Sequence, residues 1–113
     1  FVESQRGVAL LGTPGGSRII TMLLHAVLAL DVGGGPSDWV AKPRFHHQFL
    51  PDEIQHEPAA FGADEREALQ AKGHRLREIA GGFGNMQAVY WDRIDNRVSA
   101  ASDPRGIGAA DAR

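Results

Sequence analysis

The sequence predicts an α+β fold that is incomplete on its own. Two observations favour a mixed fold: an apolar run over Gly7–Leu11 passes through a glycine turn into a long helical segment, and Gln87–Trp91 and Arg97–Ala101 have the composition of paired strands. A third observation indicates incompleteness. The helical segment, which ends near Asp31, is apolar on nearly every side and therefore needs to be covered on more than one side.

The first elements are a strand, a glycine turn and a helix. Gly7–Leu11 is short, apolar and typical of a buried strand, and Thr13–Ser17 then turns into the helix. The polar residues of the helix, Arg18, Thr21 and His25, fall on one narrow stripe. A chain of this size buries roughly two-thirds of its unfolded surface, so we expect another sheet or another chain to cover the helix.

The middle of the chain contains two shorter helices. Ser37 is placed to cap a segment over Asp38–Lys42, and a proline stops that segment. We interpret Arg44–Asp52, which has no clean period, as an ordered loop. Asp64 is a cap-like residue with a glutamate three residues later, so it predicts the start of an amphipathic helix that Gly73 ends.

The last elements are a hairpin and a tail. Gln87–Trp91 and Arg97–Ala101 read as antiparallel strands because Asp95 and Asn96 between them are turn residues. The small residues from Gly106 to the end are typical of a frayed tail.

The composition is that of a soluble globular protein: 42% of the 113 residues are hydrophobic and 23% are charged. The formal net charge of −2 gives no attraction to nucleic acid or to an anionic membrane. The absence of cysteine excludes disulfides and thiolate chemistry. Ile19–Leu30, the longest apolar stretch, is far below the roughly 20 residues that cross a bilayer. We interpret residues 1–113 as a single partial domain without a membrane span.

The glycine turn is the segment that could carry chemistry. Its backbone N–H groups lie where a helix begins and lack helical acceptors. Gly15 and Gly16 allow adjacent amides to point at one spot, and the positive end of the helix dipole adds to the field there. The turn could hold a developing oxyanion, could bind another anion, or could be only a tight turn. Neither common phosphate-binding glycine motif is present, and we expect no cofactor.

Three motifs in order decide between these interpretations. They are GTPGGSRIIT at Gly12–Thr21, KPRFHHQFLPDE at Lys42–Glu53 and ASDPR at Ala101–Arg105. In order and spacing the chain resembles the γ-glutamyltransferase family from about Gly7 to Gly106. The first two motifs are specific enough to make coincidence improbable.

The resemblance implies part of an αββα N-terminal-nucleophile hydrolase, in which a precursor cuts itself and frees a threonine nucleophile. The chain would be the C-terminal portion of the small catalytic subunit, and that threonine would lie upstream of it. Such enzymes transfer a γ-glutamyl group from glutathione-like donors to water, amino acids or peptides. Of the active site, only the oxyanion-hole glycines map here, at Gly15 and Gly16.

The resemblance also implies partners. They are the remainder of the small subunit, the large subunit of the same precursor and a γ-glutamyl small-molecule substrate. Bacterial members are often exported, so a periplasmic or extracellular location is expected. The alternative from the residues alone is a self-standing anion-binding or interaction module that uses the same glycine turn.

The remaining candidates are histidines and arginines. His46, His47 and His56 have no spacing that supports a metal site, so we expect no metal. Arg44 and Arg105 lie in the two motifs outside the glycine turn, each beside a proline. We expect each to be a structural support that fixes its loop through an ion pair with a carboxylate.

Overall fold

A computed structural model describes residues 1–112, which form two compact units. The first unit comprises Phe1–Lys42 together with the chain from Gly84 onward, and the second comprises Pro43–Phe83. Helices and strands are mixed, as the predicted α+β class requires. Arg113, the end of the predicted tail, lies outside the described residues.

The elements alternate along the chain. They are β1 (Val2–Glu3), β2 (Gly7–Gly12), a 3₁₀ turn (Gly16–Arg18), α1 (Ile19–Asp31), α2 (Pro36–Ala41), β3 (Phe45–His46), β4 (Ile54–His56), α3 (Ala63–Ala71), β5 (Leu76–Glu78), β6 (Gln87–Asp92) and β7 (Arg97–Ser102).

The first unit contains a four-stranded antiparallel sheet in the order β1-β2-β6-β7. The predicted hairpin of β6 and β7 is confirmed, and β6 also pairs with β2, with Gly12 opposite Gln87. The two-residue β1 escaped prediction because so short a segment has no measurable period.

The helices of the first unit follow the predicted order with a shifted start. α1 ends at Asp31, as predicted. The prediction that Ser37 caps a helix over Asp38–Lys42 is wrong, because α2 begins at Pro36 after an N-cap at Gly35. The Asp38 carboxylate accepts the backbone N–H of Gly35 at 2.8 Å, and proline is well suited to the first helical position.

One face of this sheet is covered and the opposite face is open. Ala9, Ala88 and Ala101 are buried on the face that α1 and α2 contact. Trp39 of α2 packs edge-on against Tyr90 of β6, with ring centroids 5.5 Å apart.

The opposite face is apolar and exposed. Trp91 pairs with Val8 and Val98 across the strands, and Leu10 pairs with Val89. Four of these side chains, Leu10, Val89, Trp91 and Val98, are between 36% and 52% exposed. Trp91 therefore points away from the covered face, whereas its neighbour Tyr90 points toward it.

α1 and the residue after it also carry an apolar stripe that residues 1–112 leave exposed. Ile20, Leu24, Leu28 and Val32 follow one another at helical spacing and are 52% to 84% exposed. The other side of the helix is the buried one and carries Met22, His25, Ala26 and Ala29. None of the described helices is long and apolar enough to cross a membrane.

The second unit is a three-stranded sheet, β3-β4-β5, with α3. The prediction that Arg44–Asp52 is entirely loop is wrong, because Phe45 and His46 form β3 against β4. β4 and β5 also went unpredicted. All three strands have only two or three residues, so their pairing decides their state and leaves no periodic signal.

The helix of the second unit begins at Ala63, after an N-cap at Gly62. The Glu65 carboxylate accepts the Gly62 N–H at 2.7 Å. Asp64 is therefore not the cap but lies with Glu65 in the first turn of the helix. The predicted stop is confirmed. Gly73 follows the helix with φ of +91°, and His74 donates back to the Leu69 carbonyl at 3.1 Å.

Candidate functional site

The glycine pair has a backbone conformation that leaves two amides free. Gly15 has φ of +152° and ψ of +11°, and Gly16 has φ of +58°. Their carbonyls are occupied, because Arg18 N donates to Gly15 O at 3.2 Å and Ile19 N donates to Gly16 O. Within residues 1–112, neither glycine N–H has an acceptor, and both glycines are exposed. The turn therefore presents two consecutive donors to solvent at the start of the helix.

The buried side chain of Met22 packs against this turn. A Cβ on Gly15 would lie 2.5 Å from Cε of Met22, which is 1% exposed. Nothing lies within 4 Å of a Cβ on Gly16. The turn is thus packed closely at Gly15 and open at Gly16.

A second contact joins the turn to a distant segment. Thr13 Oγ1 donates to Pro14 O at 3.0 Å and accepts the backbone N–H of Asn85 at 3.3 Å. The sequence reasoning missed this contact because a backbone donor at Asn85 leaves no trace in the sequence. Thr13 stands close to the glycines in the sequence, but no local pattern indicates that its hydroxyl supports the turn.

Arg105 binds one buried carboxylate and the end of a helix. Its Nη1 lies 3.0 Å from Oδ1 of Asp103, whose side chain is fully buried. The same guanidinium donates to the carbonyls of Val40, Ala41 and Lys42, which close α2. Asp103 is therefore a carboxylate partner of Arg105. The contacts fix the ASDPR segment against the C-terminal end of α2.

Arg44 is 1% exposed and belongs to the second unit. Its Nη1 donates to Phe83 O at 2.6 Å. The carboxylate of Glu57, itself buried, accepts the backbone N–H groups of Arg44 at 3.0 Å and of Phe83 at 3.4 Å. Arg44 and Glu57 thus hold the two ends of this unit together.

The two histidines of the second motif and the nearby His56 make local contacts. His46 Nε2 lies 3.0 Å from Gln48 Oε1, His47 Nε2 lies 2.9 Å from Asp52 Oδ1, and His56 Nδ1 lies 2.9 Å from Glu57 O. Among residues 1–112, no three histidine or carboxylate side chains gather as a metal site would require.

Two carboxyl groups at the end of that motif are held ionised. The hydrogen bond from His47 lowers the pKa of Asp52. The hydrogen bond from Gln55, followed by that from Arg77, lowers the pKa of Glu53. These groups brace the loop and are negatively charged at neutral pH.

Comparison with known proteins identifies the family. Residues 1–112 match the gamma-glutamyltranspeptidase family. The chain belongs to this family. It is 39% identical over 97 residues to the glutathione hydrolase proenzyme of Escherichia coli K12, covering 85% of this chain and 16% of that protein. It is 37% identical over 102 residues to the glutathione hydrolase proenzyme of Pseudomonas aeruginosa, covering 87% and 18%.

Solved gamma-glutamyltranspeptidases share the fold. The enzyme from Pseudomonas nitroreducens in complex with L-DON superposes with a TM-score of 0.81 at 33% identity, covering 93% of this chain and 55% of that one. The predicted fold class, part of an αββα N-terminal-nucleophile hydrolase, is thereby confirmed. The chain spans less than a fifth of the length of the two glutathione hydrolase proenzymes named above.

Proposed function

We propose that this gamma-glutamyltranspeptidase segment supplies the oxyanion hole of an enzyme that transfers or hydrolyses γ-glutamyl groups. The observation that carries the proposal is the pair of free N–H groups at Gly15 and Gly16, set in a turn where strand β2 hands over to helix α1. Donors that are already oriented when the substrate arrives stabilise developing charge without further reorganisation. The donor substrate would be glutathione or a related γ-glutamyl compound.

The reaction follows from what two such donors can do. A threonine hydroxyl outside this chain attacks the γ-carbonyl carbon, and the carbonyl oxygen becomes an oxyanion that accepts the glycine N–H groups. Collapse of this intermediate expels the donor's amine, which takes the proton that the threonine amine removed from the hydroxyl. Water or an amino acid then attacks the γ-glutamyl-threonine ester through a second oxyanion and frees the threonine.

The nucleophile must come from elsewhere in the precursor. Thr13 and Thr21, the two threonines of this chain, lie inside it and lack a free amine. The relatives are proenzymes of which this chain covers less than a fifth. We therefore propose that the chain acts together with the rest of the small subunit and with the large subunit. The open sheet face around Trp91 supports this assembly, because the second sheet of an αββα sandwich would bury it.

Mapping the covalent intermediate tests the proposal. The matured full-length enzyme would be quenched during turnover of a γ-glutamyl donor and digested, and the modified peptide would be identified by mass spectrometry. We expect the γ-glutamyl group on a peptide that begins with threonine and lies outside residues 1–113. An adduct on Thr13 or Thr21 would contradict the proposal, as would turnover without any adduct on threonine.

A self-standing anion-binding module is the second candidate, and the same free N–H pair favours it. It requires the isolated chain to fold and to bind an anion at the turn. Calorimetric titration of the isolated chain with inorganic phosphate and with glutamate tests it. Saturable binding that is lost in Gly15→Ala would support this alternative.

A further inference from the structure

The peptide unit between Pro14 and Gly15 contains one of the two proposed oxyanion donors. In a planar trans peptide, the C=O and the N–H point in opposite directions. The Pro14–Gly15 peptide is trans. Whatever holds the Pro14 carbonyl therefore also fixes the direction of the Gly15 N–H.

Thr13 holds that carbonyl. Its Oγ1 donates to Pro14 O at 3.0 Å, and because a hydroxyl has one proton, this bond uses its donor capacity. The same Oγ1 accepts the backbone N–H of Asn85 at 3.3 Å. The Met22 sulfur, 3.9 Å from the same hydroxyl, is at most a weak alternative acceptor for that proton. The hydroxyl is thus oriented from both sides.

The segment that orients Thr13 is itself fixed. Met86 N, next in sequence to Asn85, donates to Oδ2 of the buried Asp103 at 2.8 Å, and Asp103 N donates back to Met86 O at 2.9 Å. Arg105 donates to the other oxygen of Asp103 from its backbone N and from Nη1, both at 3.0 Å. The Asn85 side chain accepts Gln87 Nε2 at 3.0 Å. The backbone that carries the Asn85 N–H is therefore held in place by hydrogen bonds.

We propose that Thr13 is a positioning residue for the oxyanion hole, which locks the Pro14–Gly15 peptide so that the Gly15 N–H faces the reacting carbonyl. The inference rests on the proposed function of the glycine pair and adds a residue that does not touch the substrate. Without the hydroxyl, the Pro14 carbonyl loses its donor and the peptide can rotate. Rotation would aim the N–H away from the oxyanion.

Two substitutions at Thr13 separate the hydroxyl from the methyl group. Thr13→Val removes the hydroxyl and keeps the shape, whereas Thr13→Ser keeps the hydroxyl and removes the methyl. Both would be made in the complete precursor, with rates normalised to the concentration of matured enzyme. One hydrogen bond corresponds to a roughly 2- to 10-fold effect on rate. We expect Thr13→Val to lower kcat by about that factor with KM unchanged, and Thr13→Ser to keep most of kcat.

Thr13→Ala repeats the test in case the valine variant fails to mature, because alanine fits wherever threonine did. A normal kcat in Thr13→Val or Thr13→Ala, with Gly15→Ala impaired, would overturn the role of Thr13 and leave the proposed function standing. Equal losses in Thr13→Ser and Thr13→Val would also overturn it, by assigning the effect to the methyl group. A normal kcat in both Gly15→Ala and Thr13→Val would instead refute the proposed function.

Discussion

Replacing Gly15 with alanine is the most informative perturbation of the glycine turn and of its proposed oxyanion role. From sequence alone, a methyl group at either glycine should disturb the loop, but the structure separates the two positions. The φ of +152° at Gly15 lies far from the left-handed well near +57° that other residues can occupy. Gly16, with φ of +58°, already lies in that well.

The size of the effect follows from what φ of Gly15 controls. Rotation about the N–Cα bond of Gly15 sets the angle between the peptide planes that contain the two N–H donors. The nearest left-handed well is about 90° away, and Met22 Cε at 2.5 Å opposes the new Cβ in the present conformation. The two N–H groups would then lose their present relative direction, and losing one oxyanion donor lowers kcat by roughly 10²–10³-fold.

The matched variants are Gly16→Ala and Gly12→Ala. A Cβ on Gly16 meets nothing within 4 Å, so alanine keeps the turn. It costs roughly 1–2 kcal/mol of folding free energy for the left-handed conformation. We expect a less than tenfold loss of kcat there. A Cβ on Gly12 also meets nothing, and this glycine has no positive φ, so Gly12→Ala should behave like the parent enzyme.

The assay is steady-state hydrolysis and transfer of a γ-glutamyl anilide by matured enzyme whose folding has been checked by thermal unfolding. We expect Gly15→Ala to lower kcat with little change in KM, as for an interaction made only in the transition state. Expressing the two subunits from separate genes permits the measurement if self-cleavage is also impaired. Near-normal kcat in Gly15→Ala would refute the oxyanion role.

Three further predictions concern assembly and stability. Arg105→Ala in the precursor should lower the free energy of unfolding by about 3–5 kcal/mol, because it leaves the Asp103 carboxylate buried with less compensation. Chemical unfolding measures this loss. Arg97→Ala, which replaces an exposed arginine, is the control. Arg44→Ala should reduce the yield of matured enzyme without altering KM, and normal maturation with a changed KM would place Arg44 in the substrate site. The isolated chain should bind a hydrophobic dye at its exposed apolar surfaces and should not hydrolyse a γ-glutamyl anilide. Cooperative unfolding without dye binding would contradict this.

Elements with strong local patterns could be predicted from the sequence. The end of α1, the β6–β7 hairpin and the stop at Gly73 each depend on neighbouring residues alone. The strands β3, β4 and β5 could not, because two or three residues become a strand only through partners elsewhere in the chain. The start of α2 could not be predicted for a related reason. The Asp38 carboxylate accepts the backbone N–H of the N-cap residue Gly35, whereas Ser37, a common N-cap residue type, favours a later start.

The candidate site divides in the same way. Gly15 and Gly16 were recognisable because a glycine pair between a strand and a helix is a local pattern. The difference between them was not, since it depends on φ values and on Met22 one turn into the helix. The contact of Thr13 with the Asn85 backbone joins residues far apart in sequence, and no local rule could reveal it.

The pairing of β2 with β6 has a consequence for biosynthesis. β2 leads directly into the glycine turn, yet its partner strand lies beyond the entire second unit, and Gly12 meets Gln87. Because a nascent chain emerges from its N-terminus, β2 has only β1 as a partner strand until β6 has left the ribosome. The topology thus delays completion of the sheet beneath the glycine turn, so we expect a precursor truncated before β6 to lack the turn's full support.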